Sequence, residues 1–267
     1  MSIQNNITHP NGEHDLDKSL SEISSITAVD TFNGKVHVEW DPQAAVTPLG
    51  QMPFFIEFLK TANLFDDFVK DFPLTSESNS ACQKRDVLGT FLLSILSGHT
   101  RYSHITTLRS DNVNAPLLGM NKIVSEDTAR RSLLRVDEQD GNTCLERHLN
   151  KSYDSLLNIP WVMDIDSTVK ILYGNQEYAE VGYNSTKPGR PSHTYHSYYI
   201  ANIRMILDVE VQDGKSGSAK YSAPRLWKIL DNLPQDKRPE FIRGDASYGT
   251  EYIMKEAESR GSQSLLL

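Results

Sequence analysis

The stretch Trp161-Val162-Met163-Asp164-Ile165-Asp166-Ser167-Thr168-Val169 limits what this chain can become. Apolar residues run into two acids, and small polar residues follow. Ile165 and Val169 are β-branched and Pro160 marks the entrance, so the stretch reads as a buried strand. Residues two apart share a strand face, which points Asp164 and Asp166 the same way. Two carboxylates on one face of an apolar strand are costly unless a metal, a base or solvent satisfies them. A second stretch, Phe241 to Gly249, repeats the pattern: an apolar step, then Asp245, then small residues. Two such aspartates, far apart in sequence, point to a carboxylate metal site assembled by a sheet. Magnesium takes one or two protein carboxylates and completes its shell with water and phosphate. Asp166 is preferred over Asp164 as the first acid, being read as the end of the strand beside small Ser167. The bland alternative is that each acid merely caps a turn.

The acids lie in the second of two textures. Residues 1–46 read as a mobile polar tail followed by a short extended arm, with Lys35-Val36-His37-Val38-Glu39-Trp40 alternating after the turn signal Asn33-Gly34. Residues 47–158 read as a helical domain. Phe54, Phe55, Phe58 and Leu59 fall on one helical face; Leu64, Phe65, Phe68, Val69 and Phe72 repeat it; Val87 to Leu96 form the strongest helix. From residue 159 to 267 the pattern becomes α/β, with strands predicted at 198–206 and 208–211 and a helix from near Ser222 with Pro224 in its first turn. A further strand then leads to Asp245, and a helix spans Thr250 to Arg260. Three strands, a helix, a strand and a helix is the opening order of a ribonuclease-H-like mixed sheet, here partial and preceded by the helical domain, and other α/β folds fit the same order.

Charge and composition narrow the partners. A net charge of −8 argues against a uniformly basic nucleic-acid coat but leaves local basic patches open. Ser125 reads as the N-cap of a helix carrying Arg130, Arg131 and Arg135. It follows a short apolar turn ending at Gly119, an arrangement open to two readings: a helix-turn-helix that contacts DNA, or a solvated helix whose arginines pair with nearby acids. The loop from Gly182 to Arg204 has no acid and interleaves Lys187, Arg190 and His193 with tyrosines, a composition suited to phosphates and bases. The alternative is an ordinary Pro/Gly loop. Cys82 and Cys144 lack zinc spacing and suit a reducing compartment. No run approaches membrane-spanning length and no leader is evident, so the expectation is a soluble cytoplasmic protein without membrane contact.

Taken together, MDIDSTVKILYGNQEYAEVGYNSTKPGRPSH and, further on, RGDASYG resemble the DDE transposases of bacterial insertion sequences whose first motif reads Asp-Ser-Thr. GHTRYSHITTLRSD and SEDTARRSLLRV look like the amino-terminal region of the same group. The resemblance runs from about Thr47 to about Gly261. It implies a ribonuclease-H-like catalytic domain and a helical domain that engages element-end double-stranded DNA. It also implies assembly as a homo-oligomer on DNA in the bacterial cytoplasm, near the nucleoid. Two Mg2+ ions, or Mn2+, held by Asp, Asp and Glu would serve in-line attack on a phosphodiester. Asp166 matches the first acid and Asp245 the second. The family's glutamate comes well after the second aspartate; Glu251, Glu256 and Glu258 lie too close to Asp245 to match it. The expectation is therefore a truncated transposase that binds DNA and does not transpose alone, with the Asp245 strand left as an exposed edge. A complete metal-dependent nuclease or phosphatase of similar fold, or a non-catalytic DNA-binding remnant, are the competing readings.

Overall fold

The structure, a computed structural model, describes residues 27–32, 34–38, 43–75, 81–217 and 219–266. The expected tail, Asn33, and Glu39 and Trp40 of the expected arm lie outside them. The chain divides into two compact units, residues 1–62 with 76–133 and residues 63–75 with 134–267.

In the first unit, β1 (Thr27–Thr31) and β2 (Gly34–Val38) form an antiparallel pair. Helices α1 (Met52–Thr61) and α3 (Lys84–Leu96), a 3-10 stretch at Tyr102–Ser110, the one-turn α4 (Asn114–Leu117) and α5 (Glu126–Leu133) complete it. Its core holds Val87, Leu88, Leu93, Ile105, Leu108 and Ala129. Two of its buried polar groups meet backbone donors: the Asp86 carboxylate accepts from Asn121 N at 2.8 Å, and Thr90 Oγ1 accepts from Val124 N at 3.1 Å. α1 departs from its expected face. Met52, Ile56 and Leu59 are buried, while Phe54, Phe55 and Phe58 are exposed. Apolar residues surround this helix, so period alone does not select the buried stripe.

The second unit is built on a six-stranded mixed sheet. It contains α2 (Leu64–Asp71), α6 (Glu138–Tyr153), β3 (Val162–Ile171), β4 (Glu180–Val181), β5 (Pro191–Ile200), β6 (Met205–Asp213), α7 (Ala219–Asn232), β7 (Phe241–Gly244), α8 (Glu251–Ser259) and β8 (Gln263–Leu266). β5 pairs antiparallel with β3 on one side and with β6 and β4 on the other; β7 lies parallel to β3, and β8 parallel to β7. The order β6-β5-β3-β7-β8, with α7 and α8 in the two crossovers, is the ribonuclease-H-like arrangement expected from the element order. One sheet face carries Met163, Ile165, Tyr198, Ile200, Leu207 and Ile242, which join Leu226 and Leu230 of α7 and Ile253 of α8 in one core. Each such aliphatic side chain contributes about 1.5–3 kcal/mol on burial.

Several boundaries differ from expectation. The compact units divide at 133/134 rather than 158/159, because Tyr153 and Leu157 belong to the sheet's core. The tyrosine-rich strand begins at Pro191 and ends at Ile200, where a turn with Arg204 at φ 54° reverses the chain into β6. Pro224 lies inside α7 rather than in its first turn. The edge of β7 is covered by β8, which pairs Phe241 with Gln263 through Gly244 with Leu266.

Candidate functional site

Asp166 is not at a strand end. β3 continues to Ile171 because β5 pairs with it along its whole length, from Met163↔Ile200 to Ile171↔Ser192. What ends at this level is β7. Its parallel register with β3 runs Asp164↔Arg243 and Ile165↔Gly244, and one step further along both strands stand Asp166 and Asp245. Asp245 keeps extended backbone, φ −70° and ψ 178°, so strand alternation carries through it and its side chain leaves on the Arg243 face. Adjacent strands are about 4.8 Å apart. Asp166 and Asp245 are therefore neighbours in one row of one face, where β7 stops pairing, and both residues are exposed.

Asp164 shares that face but is engaged. Arg243 Nε and Nη2 each lie 2.5 Å from its two oxygens, a bidentate cross-strand pair. Hydrogen bonding to Asp164, with its charge, holds the Arg243 guanidinium above its ordinary value. The choice between Asp164 and Asp166 thus has a physical basis in the tertiary pairing. Asp166 Oδ1 accepts from Ser167 N at 2.8 Å, and Asp245 Oδ1 accepts from Ser247 N at 3.0 Å and Ser247 Oγ at 2.6 Å. Each acid keeps its Oδ2 without a protein hydrogen bond among the described residues. That donor set fits one hard divalent cation whose remaining positions go to water and phosphate. Among the described residues no cluster of three or more His, Cys, Asp or Glu side chains could hold a metal. Glu251 pairs with Lys255, and Glu256 with Arg260.

The expected DNA-contacting residues fall in separate places. Ser125 caps α5 through Thr128 N at 3.1 Å, and Gly119 at φ 68° makes the turn before it. Arg130 and Arg131 are exposed on α5, and both pair with Asp127, whose carboxyl they hold below its ordinary value. Arg135, expected on the same helix, is exposed two residues past its end at Leu133. Lys187 and Arg190, on the loop between β4 and β5, stand over the ring of Tyr173 at 5.1 and 5.2 Å, and Lys187 Nζ donates to the Tyr173 hydroxyl at 2.7 Å. That bond first, then the two cations, lowers the phenol from its usual value. His193 is opposite Lys170 on the acid-bearing face, with Nε2 2.7 Å from Glu177 O.

Sequence reading missed Arg243, Tyr173 and Tyr248. In the sequence Arg243 stands only as the first residue of RGDASYG. The period-two rule applied backwards from Asp245 places it on the acid face, though not its partner. Nothing in the local pattern marks Tyr173 or Tyr248.

No described helix is long and apolar enough to cross a membrane. No protein-family model matches the chain, and no curated protein matches it. Among solved structures it is similar to a simian T-cell lymphotropic virus intasome complexed with the PP2A regulatory subunit B56 gamma, at 13% identity and TM-score 0.26 over 41% of this chain and 32% of that one. It is similar to the piggyBac transposase in a synaptic complex with hairpin DNA, at 14% identity and TM-score 0.40 over 84% of this chain and 52% of that one. It is also similar to the Mos1 pre-cleavage transpososome, at 12% identity and TM-score 0.27 over 82% of this chain and 78% of that one. The chain spans about a third and about half of the length of the first two.

Proposed function

We propose that this chain is of transposase type and binds DNA together with a divalent cation suited to phosphodiester chemistry, with Asp166 and Asp245 as its cation-holding pair. The observation that carries this reading is the shared row of Asp166 and Asp245 beside a third acid, Asp164, that Arg243 removes from play. A divalent cation bound there, Mg2+ or Mn2+, would polarise a phosphoryl oxygen and favour ionisation of an attacking water or 3′-hydroxyl. The chain's own part is placement. Asp166 and Asp245 present one oxygen each, while Ser167 and Ser247 hold the other oxygen and so fix how each carboxylate turns. The Asp164–Arg243 pair keeps a further negative charge out of a site that must admit phosphate.

The substrate in this reading is the double-stranded end of a bacterial insertion sequence. Arg130, Arg131, Arg135, Lys187, Arg190 and His193 contact its phosphates, and the chain works as a homo-oligomer in the cytoplasm. The signature shared with Asp-Ser-Thr transposases supports these finer points. A two-cation mechanism needs a further carboxylate, and the described residues place none in the row. The chain as it stands therefore binds DNA and one cation without completing transposition. The same observation favours a second reading, a DNA-binding protein without catalysis.

The test is strand cleavage and Mn2+ binding with element-end DNA. Mn2+ binding that is lost in both Asp166→Ala and Asp245→Ala supports the site, and unchanged binding in both rejects it. Specific cleavage that Asp166→Ala abolishes would refute the claim of inactivity and point to an acid within the chain, Glu251 or Glu256 first, as the third ligand.

A further inference from the structure

β7 is four residues long, and Asp245 lies one residue beyond its last pair. The ladder therefore does not fix Asp245. The single 3-10 turn that follows, Ala246–Tyr248, must do so, and Tyr248 N closes it onto Asp245 O at 3.0 Å. One turn is weak restraint by itself, so the question is what anchors the turn.

The anchor is on the reverse face of the sheet. Tyr248 is only 4% exposed. Its ring lies flush on the backbone of Gly244: a Cβ added there would stand 2.9 Å from Tyr248 Cδ2 and 3.0 Å from its Cβ and Cγ. The Gly244 backbone has no left-handed φ, so the glycine supplies room rather than conformational freedom. At the far end of the ring, the Tyr248 hydroxyl is 3.3 Å from Ser222 Oγ on α7. Ser222 is fully buried, and its carbonyl accepts from the Tyr198 hydroxyl of β5 at 3.0 Å. The turn after β7 is thus tied through one serine to α7 and to β5, the strand that also holds β3 and Asp166. Burial first, and then the charges of Asp245, Asp166 and Glu210, raise the Tyr248 phenol, against a lowering contribution from the Ser222 hydrogen bond.

We propose that Tyr248 is a positioning residue: its ring on Gly244 and its hydroxyl on Ser222 set where Asp245 stands relative to Asp166. This rests on the reading of those acids as a cation site. It does not make Tyr248 a ligand, since its side chain lies under the strand rather than on the acid face.

The experiment uses the full chain and Mn2+ as probe, followed by calorimetry or paramagnetic resonance, with Tyr248→Phe, Ser222→Ala, their double variant, Asp166→Asn and Asp245→Asn. Tyr248→Phe and Ser222→Ala should each weaken Mn2+ binding severalfold, by roughly the same factor, and the double variant should be no worse than either single one, because both remove one shared contact. Hydrogen exchange of the 244–250 segment, read without metal, should accelerate in both while the rest of the sheet stays protected. Wild-type Mn2+ affinity and exchange in Tyr248→Phe and Ser222→Ala, with binding lost in the aspartate variants, would overturn the positioning role alone. Unchanged binding in the aspartate variants would instead overturn the cation site, and the role with it. Gly244→Ala, which pushes the ring aside while keeping every hydrogen-bonding group, should weaken Mn2+ binding as well.

Discussion

Arg225 joins three elements through one guanidinium. From α7 its Nε lies 2.5 Å from Asp208 on β6, and an Nη lies 2.5 Å from Glu146 on α6. The Asp208 bond, then Glu146, outweigh partial burial and raise the guanidinium above its ordinary value. Arg225→Met would leave the buried Asp208 unpaired. Breaking such a pair costs about 3–5 kcal/mol when fully buried, and the more open Glu146 side puts the expectation at the low end, about 3 kcal/mol. Urea unfolding checks it; an unchanged midpoint would reject the role. Asp111 gives a pH signature in the first unit. Burial pushes its carboxyl up, but bonds from Thr47 Oγ1 at 2.7 Å, Val113 N at 2.8 Å and Asn114 outweigh that, and its value falls below the ordinary 3.8. Its contribution to stability is complete above the unfolded value and is lost as pH falls through the lower folded one. Wild-type melting temperature should fall on acidification below about pH 4, and Asp111→Asn should flatten part of that limb. Identical acid limbs would assign the effect to other groups.

Pro224 interrupts α7 at its sixth residue, where an amide would otherwise bond to the Lys220 carbonyl. An interior proline costs about 3 kcal/mol relative to alanine, offset by up to about 1 kcal/mol of unfolded-chain entropy. Pro224 is exposed, so no packing is lost on replacement. Pro224→Ala is expected to stabilise the second unit by about 2 kcal/mol, read as a higher urea midpoint; a lower one would mean that the proline shapes the helix to fit the sheet. α8 shows the opposite, regular case: Thr250 Oγ1 caps Ile253 N at 3.3 Å, a role to which threonine is suited.

Across the chain, charge is distributed rather than spread as a coat. Net charge is −8, yet Lys187 and Arg190 gather on Tyr173, and Arg130 and Arg131 on Asp127. If these groups contact phosphate, each lost contact lowers the salt slope of duplex binding by about one unit. Arg190→Ala should show that drop. Arg131→Ala should show it too, although Asp127 competes for the side chain. A slope unchanged in both would remove these residues from the DNA interface. Tyr173→Ala leaves both second-unit cations in place but unsupported, and should weaken binding with little change in slope.

The two acid-bearing stretches were legible because they are local. Two residues set a strand face, apolar neighbours signal burial, and element order follows from period and punctuation. That order fits a ribonuclease-H-like sheet and other α/β folds alike, and the strand pairing decided between them. Which acid stands open, where β3 ends and which side of α1 is buried were not legible. Asp164 is neutralised by an arginine 79 positions away, β3 runs on because β5 pairs with it, and α1 is apolar on too many sides for its period to choose. Strand ends and free carboxylates are properties of partners, and partners distant in sequence meet only when the sheet closes its register.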